Sequence, residues 1–394
     1  MKRIYIAAYH QSPFGKLGAV TVPEMITSAV EGVCREIGIE ADALDTGSIG
    51  SACNFTLNQQ GLPAGLMAGV PGLEGKPIEA VENACASGGQ AVLSVIYKLQ
   101  LGMGETGVAA GFEKMRDAEG KADGKLIGKV LGYYSHPDER PGKVFVFPHI
   151  FAEIMQAYMS AYSVSEEDLA RIAVEEYARA RFNPWAQMKN VQITLEQAMA
   201  IEGPNRYVVE GLPLKTYDCS QISDGYAALI LATEDGLRKL GRSPSDCVEI
   251  AGWAQATDPL SRAGRDVLRP AGAYRAMREA YRMAGVSPSE ADVAEVHDCF
   301  TVMGAIGAEV VGKAEPGKGA RFWADGAPGL NTSGGLIAKG HPIGATGVAM
   351  IGWCALQLWG RAPSEVQVRS PRAAATFNIG GPLCATVCTV LRSA

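Results

Sequence analysis

This sequence predicts a layered α/β core built twice over, and three observations predict it. Apolar strand-like runs alternate with amphipathic helical runs. The order of those runs in the first half returns in the second, from about Val248 onward, a repeat of order rather than of identity. Between the halves, residues 116–215 change texture: polar, glycine-rich and turn-like at first, then helical, as an insertion would be. At 394 residues the chain is long for one core, so two or three lobes are expected.

The elements follow in order. Ile4-Tyr5-Ile6-Ala7-Ala8, directly after Met1-Lys2-Arg3, reads as a first core strand rather than a cleaved leader. Val22 to Leu44 has helical periodicity, with Met25, Ile26, Ala29, Val30, Val33 and Ile37 on one stripe. A strand is expected at Ser48 to Ala52, helices at Gly61 to Gly69 and Ala91 to Gly102, and a buried strand at Thr106 to Gly111. In the insertion, Lys121 to Lys129 and His136 to Gly142 read as irregular, and Phe151 to Tyr162 and Ser165 to Arg181 as helices. The second of these helices opens on Ser165 with Glu166, Glu167 and Asp168 in its first turn, where the helix dipole favours acid. Tyr217 to Leu231 returns to the sheet through Ser223-Asp224-Gly225. The second half then offers strand Val248 to Trp253, helix Ala271 to Ala284, strand Val293 to Val296 and a helix from Thr301 to Val311. By this reading the helix after Cys299 matches the helix after Cys85, and a pseudo-twofold brings their N-termini to a common centre. The lobes are residues 1–115 with 216–246, the insertion 116–215, and 247–394.

Composition narrows the classes. A net charge of −6 without a basic block argues against nucleic acid as the main partner. No apolar run reaches membrane-spanning length. Nine cysteines, at 34, 53, 85, 219, 247, 299, 354, 384 and 388, show no repeated C-x-x-C spacing, and no metal site is expected. An odd count reads as reduced thiols, and a C-terminal Leu391-Arg392-Ser393-Ala394 is not a peroxisomal address, so a cytoplasmic protein is expected.

Chemistry concentrates in two stretches. In Glu82-Asn83-Ala84-Cys85-Ala86-Ser87-Gly88-Gly89-Gln90, small residues crowd one cysteine at a strand-to-helix turn. The helix start would aim free N–H groups and the positive dipole end at the sulfur, favouring a thiolate and an oxyanion beside it. Alone, such a cysteine is as readily a structural one. The second stretch, Asn331 to Gly347, places His341, one of five histidines, among glycines. A Cys and a His far apart in sequence are the usual layout of an activated thiol, because the fold makes them neighbours.

With these two segments, in this order, the chain resembles the thiolase family, and the resemblance covers nearly its whole length. It implies a thiolase fold, a duplicated layered αβαβα core, with 116–215 as a loop domain over an acyl-CoA site. Phe147, Met155, Tyr158 and Met159 are candidates for an acyl pocket, although such helical stripes are more often plain core. A third motif, His297-Asp298-Cys299-Phe300, replaces the Asn-Glu-Ala-Phe of many thiolases and is similar to the sterol-carrier-protein type. Asn378, in Phe377-Asn378-Ile379-Gly380-Gly381, stands where typical thiolases carry a second catalytic cysteine. Cys299 is then its replacement, and Cys219, Cys384 and Cys388 are expected to be structural.

The resemblance further implies roles: Cys85 as nucleophile, His341 as its base, Cys299 as the second acid/base, and His297 as the group positioning an oxyanion-binding water. His341 and that water would hold the enolate oxygen, and the N–H groups of Cys85 and Gly380 the tetrahedral oxyanion. The reaction expected is thiolysis of a 3-oxoacyl-CoA, or its reversal, through an acyl-Cys85 intermediate, with coenzyme A as substrate and no tightly bound cofactor. The alternatives are a ketosynthase or acyltransferase of the same fold, or a non-catalytic acyl-CoA- or lipid-binding relative. A homodimer or dimer of dimers is expected. Bacterial sterol-carrier-type relatives, benzoylsuccinyl-CoA thiolase among those with such a subunit, imply a small OB-fold, zinc-ribbon partner protein.

Overall fold

Strands that read as unbroken apolar runs are strands covered on both faces, and every residue of Thr106–Glu113 and Ala373–Gly380 is buried. The computed structural model describes residues 1–394. Its nine strands are β1 (Tyr5–Gln11), β2 (Thr46–Gly50), β3 (Ile78–Val81), β4 (Thr106–Glu113), β5 (Gly225–Ala232), β6 (Val248–Thr257), β7 (Ala291–Val296), β8 (Ala373–Gly380) and β9 (Ala385–Ser393). They form one sheet, ordered β3-β2-β4-β5-β1-β6-β9-β8-β7. The eight helices longer than six residues are α1 (Val22–Arg35), α2 (Ser87–Gln100), α3 (Gly124–Gly132), α4 (Val146–Tyr162), α5 (Glu166–Ala180), α6 (Ala271–Ala284), α7 (Thr301–Val310) and α8 (Ile343–Leu358).

The pairing pattern is the duplication. In the first half β1 pairs antiparallel with β5, β5 antiparallel with β4, β4 parallel with β2, and β2 parallel with β3. In the second half β6 pairs antiparallel with β9, β9 antiparallel with β8, and β8 parallel with β7. The counterpart of β3 is reduced to a single parallel bridge between Ala294 and Leu330. The halves join where β1 meets β6, at Tyr5 with Glu249 and Ile6 with Val248.

Layering follows. α1 packs its apolar stripe on the outer face of the first half, and α6 on the outer face of the second. Between the halves lie α2 and α8, sharing one core with side chains of β1, β5, β6, β8 and β9. Glycines set that approach: a Cβ on Gly88 would lie 2.5 Å from Gly344 O, and one on Gly347 2.2 Å from Gly89 N.

This corrects one expected equivalence. The counterpart of α2 is α8, because each follows the position of the third strand in its half. The helix after Cys299, α7, follows β7 and therefore matches the short helices after β2. The common centre is real, but α2 and α8 form it. Two elements also differ in extent. α1 stops at Arg35 because Gly38 turns with φ +69°, and only a 3₁₀ turn (Ala41–Ala43) follows. Conversely, Lys121 to Lys129 is not all loop: α3 begins at Gly124, capped by Asp123, whose side chain accepts from the N–H groups of Lys125 and Leu126.

β4 and β5 are sheet neighbours, so the chain between them projects from one end of the sheet. It supplies α3, α4 and α5, and α3 forms a wall of the site described next.

Candidate active site

After β3 the chain turns sharply into α2, and Cys85 sits in that turn. Ala84, immediately before it, has φ +48°, a left-handed conformation costing about 1 kcal/mol for a residue with a Cβ. Ser87 holds the turn: its hydroxyl donates to Ala84 O (2.6 Å) and accepts from Asn83 N–H (2.8 Å). The helix start does not produce a resting thiolate. Burial first, then the charges of Glu113 and Glu82, push the Cys85 thiol up to about 12, against the N–H groups of Gly381 and of Cys85 itself. The expectation of a thiolate is thus corrected: Cys85 rests as a thiol and needs a base.

His341 supplies one. It follows Gly340 (φ +108°) on the loop into α8, and its backbone N–H donates to Ser223 Oγ at 2.9 Å. Its Nδ1 lies 2.7 Å from Thr346 Oγ1, while the Thr346 hydroxyl donates to Pro342 O at 2.9 Å. A hydroxyl has one proton. With that proton on Pro342, Thr346 accepts from His341 Nδ1–H, and His341 Nε2 is left as a lone pair. Burial, then Lys339, lower the imidazole to about 3, so it is neutral.

His297, at the end of β7, faces His341 edge to face, with ring centroids 4.9 Å apart. Burial first, then His341 and Lys339, hold it well below the usual histidine range. Ligand-capable atoms of Cys85, His297 and His341 all lie within 4.8 Å of one another. A thiol and two imidazoles are also a donor set of the kind zinc takes, which would require the Cys85 proton to leave. As it stands, the trio offers a nucleophile, a base and a second polar nitrogen in one place.

The other candidates divide. Cys299 is buried and lines the same cavity, its thiol pushed up by burial and then by Cys85 and Asp298. Cys219 also lines it, but its Sγ donates to Lys215 O at 3.3 Å. Cys384 Sγ donates to Asp258 O, and Cys388 is buried in β9. Gly380 packs under the Cys85 turn, where a Cβ would be 2.2 Å from Asn83 O, and Gly381 lines the cavity. Asn378 lies between the Cys85 and His297 segments.

The cavity holds about 210 Å³ and is mostly apolar. One wall is α3, which presents Gly124, Ile127, Gly128 and Leu131 at i, i+3, i+4 and i+7. Phe145, Phe147 and Phe300 face it, with Met115, Ile222 and Ile343 nearby. Of the four residues suggested from sequence for an acyl pocket, only Phe147 is here. Met155 and Tyr158 belong to the core beneath, Tyr158 donating to Glu309, and Met159 lines a separate surface groove.

Two positioning carboxylates escaped sequence reasoning. Glu113, ending β4, accepts from Ser51 Oγ (2.8 Å) and from the N–H groups of Ala52, Cys53 and Gly344 (3.0 Å each), tying β2 and β4 to the start of α8. Burial lifts it to about 7 against those bonds. Asp298 accepts from the N–H groups of Leu336 (2.8 Å) and Ile337 (3.3 Å), joining the His297 and His341 segments. A carboxylate closing the apolar run Val108 to Phe112 was the available signal for Glu113.

A cysteine and a histidine meeting at an apolar cavity are the layout of an acyl-transfer site, and relatives named acetyl-CoA acetyltransferases make this chain an acyltransferase enzyme. More narrowly, the chain belongs to the thiolase family: residues 4–235 match its "Thiolase, N-terminal domain" model and residues 254–393 its "Thiolase C-terminal domain-like" model. It is 34% identical over 388 residues to the acetyl-CoA acetyltransferase of Methanothermobacter thermautotrophicus, covering 97% of each chain. It is 30% identical over 399 residues to human sterol carrier protein 2, covering 96% of this chain and 70% of that one. Among solved structures it is similar to the "Ltp2-ChsH2(DUF35) aldolase", with a TM-score of 0.80 at 21% identity, covering 99% of this chain and 98% of that one.

Proposed function

We propose that this thiolase-family chain cleaves 3-oxoacyl-CoA thioesters with coenzyme A, or runs the reverse Claisen condensation, through an acyl group carried on Cys85. The observation that carries the reading is the convergence of the Cys85 thiol and a His341 Nε2 lone pair at an apolar cavity. His341 takes the thiol proton, and the sulfur attacks the 3-oxo carbon. The oxyanion so formed lies by the N–H groups of Cys85 and Gly381, the two backbone donors at the Cys85 sulfur, rather than of the Gly380 expected from the sequence, each such donor being worth about 3 kcal/mol. Collapse breaks the C–C bond and expels the enolate of a shorter CoA thioester, held by His341 and the His297 side of the site. Cys299 protonates its carbon. A second CoA then attacks acyl-Cys85, its thiol proton restoring Cys299, while His341 returns its proton to the Cys85 sulfur. CoA is substrate, and no step calls for a tightly bound cofactor.

The lining contains neither lysine nor arginine, so the acyl group that fits is apolar. Cys299 on the cavity wall favours this reading over a decarboxylating ketosynthase, which shares the Cys-His-His trio.

Assembly is proposed at two levels. β3 is an open sheet edge, and exposed Phe55 and Leu62 lie in the connection from β2 to β3, so a second copy is the expected cover in a homodimer. The solved structural neighbour is named as an Ltp2-ChsH2(DUF35) aldolase, which supports a small DUF35-type partner here. No helix is long and apolar enough to cross a membrane, and a cytoplasmic location is expected.

The test is intact-mass spectrometry after brief exposure to a panel of acyl-CoA and 3-oxoacyl-CoA thioesters. An acyl adduct on the wild type, absent in Cys85→Ala, is the expected result. No adduct from any thioester, with or without a DUF35-type partner, would overturn the reading.

A further inference from the structure

Asn378 reaches the site from near the end of β8, and its side chain is buried. Its Nδ2 lies 3.1 Å from Cys85 O and 3.0 Å from His297 Nδ1. A carbonyl oxygen only accepts, so the amide atom facing Cys85 O is the NH₂ group; the flipped amide would set two oxygens against each other. The second NH₂ hydrogen points at His297 Nδ1, which must receive it with a lone pair. The proton of the neutral ring is therefore on Nε2. That Nε2 is buried, has no partner in the protein, and belongs to a side chain lining the cavity. The two facing imidazoles are thus opposite in kind: His341 presents a bare Nε2, His297 a protonated one.

Asn378 Oδ1 is also buried without a partner. A position that tolerates an orphaned oxygen keeps its amide for the NH₂ group. The same NH₂ binds the Cys85 turn to the His297 ring, so nucleophile and donor are held as one unit.

We infer that Asn378 is a positioning residue that locks His297 in its Nε2–H tautomer, making His297 a direct hydrogen-bond donor to the enolate oxygen of the substrate. The substrate part rests on the thiolase reading above, and the tautomer part does not. The lock has a kinetic signature. Acyl exchange between Cys85 and a plain acyl-CoA passes through no enolate, whereas cleavage of a 3-oxoacyl-CoA does.

The test uses the full chain labelled with ¹⁵N-histidine; with five histidines, the His297 ring is assigned by its loss in His297→Gln. In the resting wild type, His297 should show a bare Nδ1 and a protonated Nε2 from pH 5 to 8. Asn378→Leu, similar in volume but without the NH₂, should show both tautomers. Cleavage of a 3-oxoacyl-CoA by that variant should fall about 100-fold more than acyl exchange does, any loss in exchange reporting the Cys85 O bond that Leu also removes. In the His297→Gln background, where an amide donor has no tautomer to lock, adding Asn378→Leu should cost little more. Leu removes the orphaned oxygen but also takes the amide donor from Cys85 O, so a modest fall in melting temperature is expected and is read beside the kinetics, with Asn378→Ala carrying the same readouts. A protonated Nδ1 in the wild type, equal losses in cleavage and exchange, or equal losses in both backgrounds would overturn the inference. A wild type that shows the tautomer but never acylates would instead sink the thiolase reading.

Discussion

Replacing Thr346 by valine keeps the shape of the side chain and removes one oxygen, which makes it a clean probe of how His341 is held. Two bonds go: His341 Nδ1–H to Oγ1 (2.7 Å) and the hydroxyl to Pro342 O (2.9 Å). Pro342 O keeps the N–H groups of Ala345 and Thr346, at 3.0 Å each, so it is not orphaned. The cost therefore falls on one buried imidazole N–H, about 1–3 kcal/mol. The ring can escape that cost by moving its proton to Nε2, which abolishes the lone pair facing Cys85. Converted at 1.36 kcal/mol per decade, a preference of this size for the wrong tautomer slows acylation by roughly 5- to 150-fold. The assay is the rate of Cys85 acylation by a thioester, read by rapid quench and intact mass, beside a denaturation curve for stability. A Thr346→Val protein that acylates at the wild-type rate would refute the assignment of Nε2 as the base.

Three further outcomes are expected. Glu113→Gln replaces one of two oxygens, each accepting two hydrogen bonds, with a donor, so unfolding free energy should drop by about 3–5 kcal/mol in urea titrations; an unchanged midpoint would show that the carboxylate does not hold α8. His341 is lowered from 6.5 to about 3, so the unfolded chain takes up a proton that the folded one refuses, and the stability this group contributes is full above pH 6.5 and lost as pH falls toward 3. Between pH 6.5 and 5 the stability difference between wild type and His341→Gln should therefore shrink by roughly 2 kcal/mol, and parallel pH curves would contradict the shift. A Cβ on Gly124 meets nothing within 4 Å, so Gly124→Leu should fill the end of the cavity. At about 0.8 kcal/mol per displaced CH₂, four carbons cost some 3 kcal/mol, or roughly 150-fold in kcat/KM, for the longest acyl chains and nothing for acetyl; equal losses at every length would refute it.

Much of the fold is legible because buried strands announce themselves: β1, β4 and β5 are apolar runs, and α6 falls at the expected Ala271–Ala284. Cys85, His297, Cys299 and His341 are legible as residue types in local motifs, and the structure gathers them at one cavity. What was not legible depends on distant chain. The dipole argument for a Cys85 thiolate failed because Glu113 comes from another strand and burial outweighs a helix end. α3 was hidden because its lysines and glycines mask a short stripe that only the cavity makes apolar. The match of α2 with α8 needed strand pairing, since the Cys299 motif also precedes a helix. Tautomers belong to this class as well: Thr346 and Asn378 act through single protons whose direction is set by the carbonyls of Pro342 and Cys85.

The wall formed by α3 separates two kinds of information in this chain. Its four cavity-facing positions lie within eight consecutive residues of the insertion, while Cys85, His297 and His341 lie on the duplicated core. Bond-making is written in the core, and one whole wall of the cavity in a separate stretch of the gene. Drift or recombination across a segment about two helical turns long can thus explore new acyl groups without disturbing the reacting atoms. A lineage built this way can change its diet faster than its chemistry.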